Sequence, residues 1–128
     1  MIEKLPPRER ELFETLYRLR QATAAELQVA FKGAPSNSAL RVMLKRLERK
    51  GFVTHREEAG RFVYAPALPE SRIQQSAARR FIETYFGGSA ASAATALLGM
   101  SKGIEDSELD RLARLVAAAR SAKGLPND

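Results

Sequence analysis

The 128 residues contain no cysteine. Disulfides, thiolate metal sites and cysteine nucleophiles are therefore excluded. A single histidine, His55, leaves little from which to build a zinc site or an acid–base pair. No apolar run approaches the roughly 20 residues of a membrane span, so no membrane partner is expected. The N-terminal stretch MIEKLPPRERE lacks the apolar core of a signal peptide. A cytoplasmic protein is the default expectation. Nothing assembles a nucleophile, a base and an orienting group. Glu57 and Glu58 read as a solvated turn, and His55 as a surface residue of a strand rather than a ligand. The chain is expected to be no enzyme, with no catalytic residue, no metal site and no cofactor. Internal repeats and low-complexity segments are also missing, apart from alanine enrichment near residues 90–96.

Acidic residues are scarce in one half only. Net charge is +6, with a pI near 10.1. Residues 1–68 hold 13 basic and 8 acidic residues, a net of +5, whereas residues 69–128 hold 8 and 7, a net of +1. A basic half and a nearly neutral half suggest a nucleic-acid-binding part and a structural part.

The basic half centres on Ser36–Gly51, SNSALRVMLKRLERKG. Leu40, Met43, Leu44 and Leu47 recur at helical spacing and make one apolar face. Arg41, Lys45, Arg46, Arg49 and Lys50 supply five positive charges against one acid, Glu48. Ser36 is suited to cap the helix, and Gly51 to end it in the left-handed conformation. This is a helix with one face for a core and another for a polyanion.

Its neighbours give it a context. Leu12, Phe13, Leu16, Tyr17 and Leu19 predict a scaffold helix from about Pro7 to Arg20, with prolines tolerated in its first turn. Thr23-Ala24-Ala25-Glu26 has capping-box spacing and opens a short helix through Leu27, Ala30 and Phe31. Lys32–Pro35 turns the chain into the Ser36 helix, so the pair is a helix-turn-helix candidate. Phe52–Arg56 and Arg61–Ala65 then read as two strands joined by a turn at Glu57–Gly60. Phe52, Val53, Phe62 and Tyr64 are expected to close the core. Helix, helix, basic helix and hairpin in this order is the winged-helix arrangement, and Arg56 or Arg61 on the wing would lie near a phosphate backbone.

Pro66 and Pro69 bracket a short linker, which predicts a division into a winged-helix DNA-binding domain, 1–68, and a helical dimerisation domain, 69–128. A helix from Glu70 to Phe86 carries Ile73, Ala77, Phe81, Ile82 and Tyr85 on one stripe and ends at Gly87-Gly88. Ser89 caps a small-residue helix bearing Leu97, Leu98 and Met100. A last helix, about Asp106 to Lys123, aligns Leu109, Leu112, Leu115, Val116 and Ala119. Roughly 55 residues are marginal for an independent core. Packing against a second copy would cover Ile73, Ala77, Phe81, Tyr85, Leu97, Leu109, Leu112 and Val116. The expected fold is therefore mainly α with a small β-hairpin: an N-terminal winged helix-turn-helix and a C-terminal helical dimerisation region.

Four segments carry a family resemblance: Leu5–Arg10 with Leu12, SALRVMLKRLERKGFVTH from Ser38 to His55, GRFVYAP from Gly60 to Pro66, and SAARRFIETYFGG from Ser76 to Gly88. From Leu5 to about Leu115 the chain resembles the BlaI/MecI/CopY-like penicillinase-repressor family of bacterial regulators. The resemblance implies a homodimer that places each winged helix in a major groove of an inverted-repeat operator, often with TACA/TGTA-like half-sites, and blocks transcription. It implies that Ser36, Ser38, Ala39, Arg41, Val42, Lys45 and Arg46 face DNA and that Thr23, at a helix N-terminus, meets a phosphate. The better studied repressors have threonines where this chain has Ala39, Val42 and Lys45. Ala39 and Val42 can touch a thymine methyl but cannot hydrogen-bond, and Arg41 is the best candidate for a bidentate guanine contact. Arg46 is alternatively a partner for Glu48 or a wing acid. Arg49 and Lys50 are expected to add general positive field. Copper-responsive members use C-terminal cysteine pairs, which this chain lacks. Antibiotic-responsive members are cut by a membrane sensor protease, a candidate partner here, at a position matching Ala96-Leu97.

Two readings compete with the repressor. A winged-helix protein–protein adaptor would turn the same basic face to an acidic partner, and a MarR-like regulator would respond to a small molecule held between its domains.

Overall fold

In the computed structural model, which describes residues 2–126, a short 3-10 turn at Ile2–Lys4 leads into α1, Pro7–Leu19. β1 (Ala22–Thr23), α2 (Ala24–Ala30) and α3 (Asn37–Arg49) follow, then β2 (Val53–Glu58) and β3 (Arg61–Pro66). Three helices complete the described residues: α4 (Glu70–Tyr85), α5 (Ala90–Met100) and α6 (Asp106–Ala122).

The helical boundaries follow local chemistry. α1 starts at Pro7, where a missing N–H costs nothing. Thr23 and Glu26 form a reciprocal capping box on α2: the Thr23 N–H donates to Glu26 Oε1 at 2.8 Å, and the Glu26 N–H donates to Thr23 Oγ1 at 3.2 Å. Ser36 Oγ accepts from the Ala39 N–H and caps α3. Gly51, at φ 88°, ends α3. Its N–H donates to the Glu48 carbonyl and the Phe52 N–H to the Leu47 carbonyl, the paired bonds of a Schellman motif. Phe52 is thereby delivered against Phe13, ring centroids 6.1 Å apart in an edge-on contact.

One core unites these elements. Leu12, Phe13 and Leu16 of α1, Leu27 of α2 and Leu40, Leu44 and Leu47 of α3 are completely enclosed. Each contributes about 1.5–3 kcal/mol relative to an exposed side chain. Val53 and Tyr64 close the core from the sheet. Phe62, expected there too, is 43% exposed, because its ring stacks on His55 beside α3 and does not enter the core. Leu19, at the end of α1, is exposed as well. Met43 is only partly buried.

The sheet has three antiparallel strands in the order β1-β3-β2. β2 and β3 pair from Val53↔Pro66 to Glu58↔Arg61 around the two-residue loop Ala59-Gly60. Both loop residues have positive φ, 51° and 76°, the signs of a type I′ hairpin turn. β1 adds to the other edge of β3, with Ala22 opposite Tyr64 and Thr23 opposite Val63. The expected hairpin is therefore two strands of a three-stranded sheet. A two-residue strand is too short to leave a periodic signature.

The chain divides into two compact units, the first ending at Gly88 and the second beginning at Ser89. The Pro66–Pro69 stretch, expected to separate domains 1–68 and 69–128, is thus not where the fold divides. α4 packs with the winged helix. Ile73, expected at a dimer interface, is only 6% exposed and lies in the core of the first unit. The Ile2 N–H donates to Ser76 Oγ at 3.3 Å, and the Tyr17 hydroxyl donates to Glu70 Oε1 at 3.1 Å. In the second unit Ser89 caps α5, as expected, and α6 has no buried residue.

Candidate nucleic-acid interface

The turn between α2 and α3 is held at both ends. Arg8 of α1 donates to the carbonyls of Lys32 and Gly33, at 3.3 and 2.7 Å, and its guanidinium lies 4.1 Å from the centre of the Phe31 ring. Gln28 of α2 donates to the Pro35 carbonyl at 3.1 Å and accepts from Asn37 Nδ2 of α3 at 3.3 Å. These contacts and the leucine face fix α3 in roll as well as in position.

The outward face of α3 follows from that roll. At about 100° per residue, Ser38, Val42, Lys45 and Arg49 form one line opposite Leu40, Leu44 and Leu47. All four are exposed. Arg41 and Glu48 flank the line on the side of the hairpin, and Arg46 flanks it on the other. Among the described residues, Arg41, Lys45, Arg46 and Arg49 have no acid within ion-pair distance. The anticipated Arg46–Glu48 pair does not form, because Glu48 turns to His55 on β2.

The two cations at the end of α3 have different fates. Lys50 Nζ lies 3.0 Å from Oε1 of Glu9, an α1 side chain with 9% of its surface exposed. It neutralises a nearly buried carboxylate and is not a free field charge. Arg49 lines a groove with Arg41 and Lys45. Its position four residues after Lys45 and seven after Val42 was the available signal that it shares their exposed face.

The hairpin presents two different faces. His55, Phe62 and Tyr64 face α3. His55 Nδ1 donates to the Glu48 carboxylate, at 2.7 and 2.9 Å from its two oxygens, and the His55 ring stacks on Phe62 with centroids 4.3 Å apart. Burial pushes the Tyr64 hydroxyl above the usual phenol range; nearby Arg41 opposes this and Glu48 adds to it. Arg56 points the other way, as the strand's alternation requires. It pairs with Glu58 and donates to Gln21 Oε1 at 2.8 Å, so its charge is already committed within the chain.

Two clefts result. One of about 440 Å³ lies between α3 and the hairpin, lined by Arg41, Lys45, Glu48, Arg49, His55, Phe62 and Tyr64. A second, of about 320 Å³, brings Thr23 and Arg61 to the same wall as Arg41. Arg61 has no ion-pair partner among the described residues. Thr23, spent on its capping box, offers the N-terminus of α2. The Glu26 carboxyl is held below the ordinary carboxylate value by its bonds from the Thr23 backbone and hydroxyl, with a smaller contribution from Arg61.

The remaining expected site residues are spread as follows. Ser36 and Ser38 lie at the start of α3 with hydroxyls 3.3 Å apart, and Ala39 is half-buried beside them. Ala77, Phe81 and Tyr85 are exposed on α4, and Phe81 contacts both Tyr85 and Phe86 with centroids 5.5 Å apart. Leu97 on α5 and Leu109, Leu112 and Val116 on α6 are exposed. Ala96-Leu97 lies within the helical backbone of α5. No cluster of three potential metal ligands and no helix long and apolar enough to cross a membrane occurs among the described residues.

A helix pair whose second member carries a cationic face, followed by a hairpin, is the winged-helix arrangement. The class that fold and site define is the winged-helix DNA-binding proteins. Residues 5–118 match the penicillinase repressor family, and the chain belongs to that family of DNA-binding transcriptional regulators. Among solved structures, the DNA-binding domain of the repressor BlaI, determined in solution, is 26% identical over 56% of this chain and 89% of that chain, with a TM-score of 0.47. Rv0081 of M. tuberculosis is 24% identical, covering 67% of this chain and 83% of that one, with a TM-score of 0.50. BpsR of Bordetella bronchiseptica, whose DNA binding is regulated by 6-hydroxynicotinic acid, is 14% identical over 89% and 76%, with a TM-score of 0.51. The last two share the fold and carry no more than that. No curated protein matches the chain at a significant level.

Proposed function

We propose that the protein is a homodimeric repressor that binds an inverted-repeat operator and blocks transcription. The observation that carries this reading is the set of cations on α3 with no acid in reach. Four charges on one helix, without acidic partners among the described residues and beside a hairpin, are a standing site for phosphates.

In this reading α3 lies in the major groove. Arg41 contacts a guanine, and Ala39 and Val42 meet thymine methyls. Ser36, Ser38, Lys45, Arg46 and Arg49 engage base edges or phosphates along the groove. Thr23, through the N-terminus of α2, and Arg61 on the wing meet the flanking backbone. Arg56 is a supporting residue of the wing. The exposed apolar side chains Phe81, Tyr85, Leu97, Leu109, Leu112 and Val116 are the surface a second copy covers. The protein acts in the cytoplasm, where its operator is.

The test is binding across a salt series to an inverted repeat recovered by selection from random duplexes, beside a scrambled duplex. A repressor gives a steep loss of affinity with salt and prefers the repeat by about a thousandfold or more. Equal affinity for both duplexes refutes the operator, and no affinity for either favours an acidic protein as the partner of this face.

A further inference from the structure

Glu48 is the sole acid on α3 and stands at the edge of its cationic face. Lys45 precedes it by three residues, a spacing at which opposite charges on a helix ordinarily meet. Such a pair would cancel one of the charges that DNA requires. It does not form here: among the described residues no lysine or arginine lies within ion-pair distance of Glu48. Both carboxylate oxygens are instead turned to the Nδ1 of His55, at 2.7 and 2.9 Å.

His55 is itself held in place. Its ring stacks on Phe62 at 4.3 Å with an interplanar angle of 28°, and lies tilted against Tyr64 at 5.8 Å. Phe62 has no place in the core, so its ring serves as the platform for this imidazole. A carboxylate only accepts, so the ring nitrogen facing it is the one that carries the hydrogen.

We propose that His55 is a positioning residue for DNA binding: it draws the Glu48 carboxylate onto the wing, which leaves Lys45 and its neighbours Arg41 and Arg49 free for DNA. The same bond ties the wing to α3. This inference rests on the DNA-binding reading of the α3 face.

The test is a double-mutant cycle. The full chain, with His55→Ala, Glu48→Ala and the double variant, is titrated across a salt series against a duplex selected by the wild-type chain. His55→Ala releases Glu48 to pair with Lys45. Affinity then falls by about three- to tenfold, and the salt slope becomes shallower by about one counterion. Adding Glu48→Ala to His55→Ala restores the slope and most of the affinity, which repair of a merely structural defect would not do. His55→Gln, which keeps a donor toward Glu48, stays near the wild-type slope and guards against a folding defect in the alanine variant. A double variant that binds as weakly as His55→Ala, with the same shallow slope, overturns the role of His55 and leaves DNA binding intact. A wild-type chain that selects no duplex overturns both.

Discussion

Replacing Lys50 by methionine separates holding the fold from holding DNA. Lys50 belongs by sequence to the basic run of α3, yet its ammonium lies 3.0 Å from Glu9, whose side chain is 9% exposed. Methionine keeps most of the aliphatic stem and removes the charge. The nearly buried carboxylate is then left without its partner. Breaking a fully buried pair costs about 3–5 kcal/mol. Here the Lys50 side chain is 42% exposed, so water can approach from its side and the cost is reduced. A loss of about 1–2 kcal/mol follows, nearer the penalty for one unsatisfied polar group. For a compact unit of this size that is a fall in Tm of about 5–15 °C. Thermal unfolding followed by circular dichroism measures it, and Glu9→Gln/Lys50→Met should recover much of the loss. The slope of log affinity against log salt should not change, because Lys50 neutralises Glu9 and not a phosphate. A Lys50→Met chain with wild-type Tm and a slope shallower by about one would refute the reasoning: Lys50 would then be a DNA contact and its pairing with Glu9 of no consequence.

Four further outcomes can be checked. Arg41→Ala should weaken binding to the selected duplex by about 1–3 kcal/mol and relax preference at one base pair per half-site; unchanged specificity in a repeated selection means that another side chain reads that base. Phe81→Asp should yield monomers in sedimentation and lose most operator affinity, and persistent dimers place the interface elsewhere. Because the Glu26 carboxyl is depressed in the folded chain, its contribution to stability is present above its ordinary value of 4.5 and is lost as pH falls through the lower folded value. The Tm gap between wild type and Glu26→Gln should accordingly narrow on acidification, and a gap constant with pH contradicts the capping assignment. Ala59 occupies the left-handed region at φ 51°. Ala59→Asn, which tolerates that region, should add about 0.5–1 kcal/mol, and a lower denaturant midpoint would show that the turn is held by something other than its dihedral angles.

The amino-acid sequence alone determined the helical faces, the caps and the order of elements around α3. Leu40, Leu44 and Leu47 fall on one side of any helix built from Ser36 to Gly51. Thr23 and Glu26 can cap each other at their spacing, and Gly51 can take a positive φ where few residues will. These are properties of a few neighbouring residues, and they are legible because the helical repeat and the capping bonds are local. The end of α4 just before Gly87-Gly88 was legible for the same reason.

Only the tertiary structure decided which partner each charge meets. Lys50 finds Glu9 across 41 residues, Arg56 finds Gln21 across 35, and Glu48 prefers His55 on a strand to Lys45 on its own helix. Spacing could count five cations on the α3 stretch but could not say which stay free, because that depends on what other elements place opposite each one. The same dependence placed Ile73 in the first unit's core, joined α4 to the winged helix past Pro66 and Pro69, and added β1 to the sheet through two residues. A free cation is defined by the acids that are out of reach, and reach is a matter of three-dimensional distance.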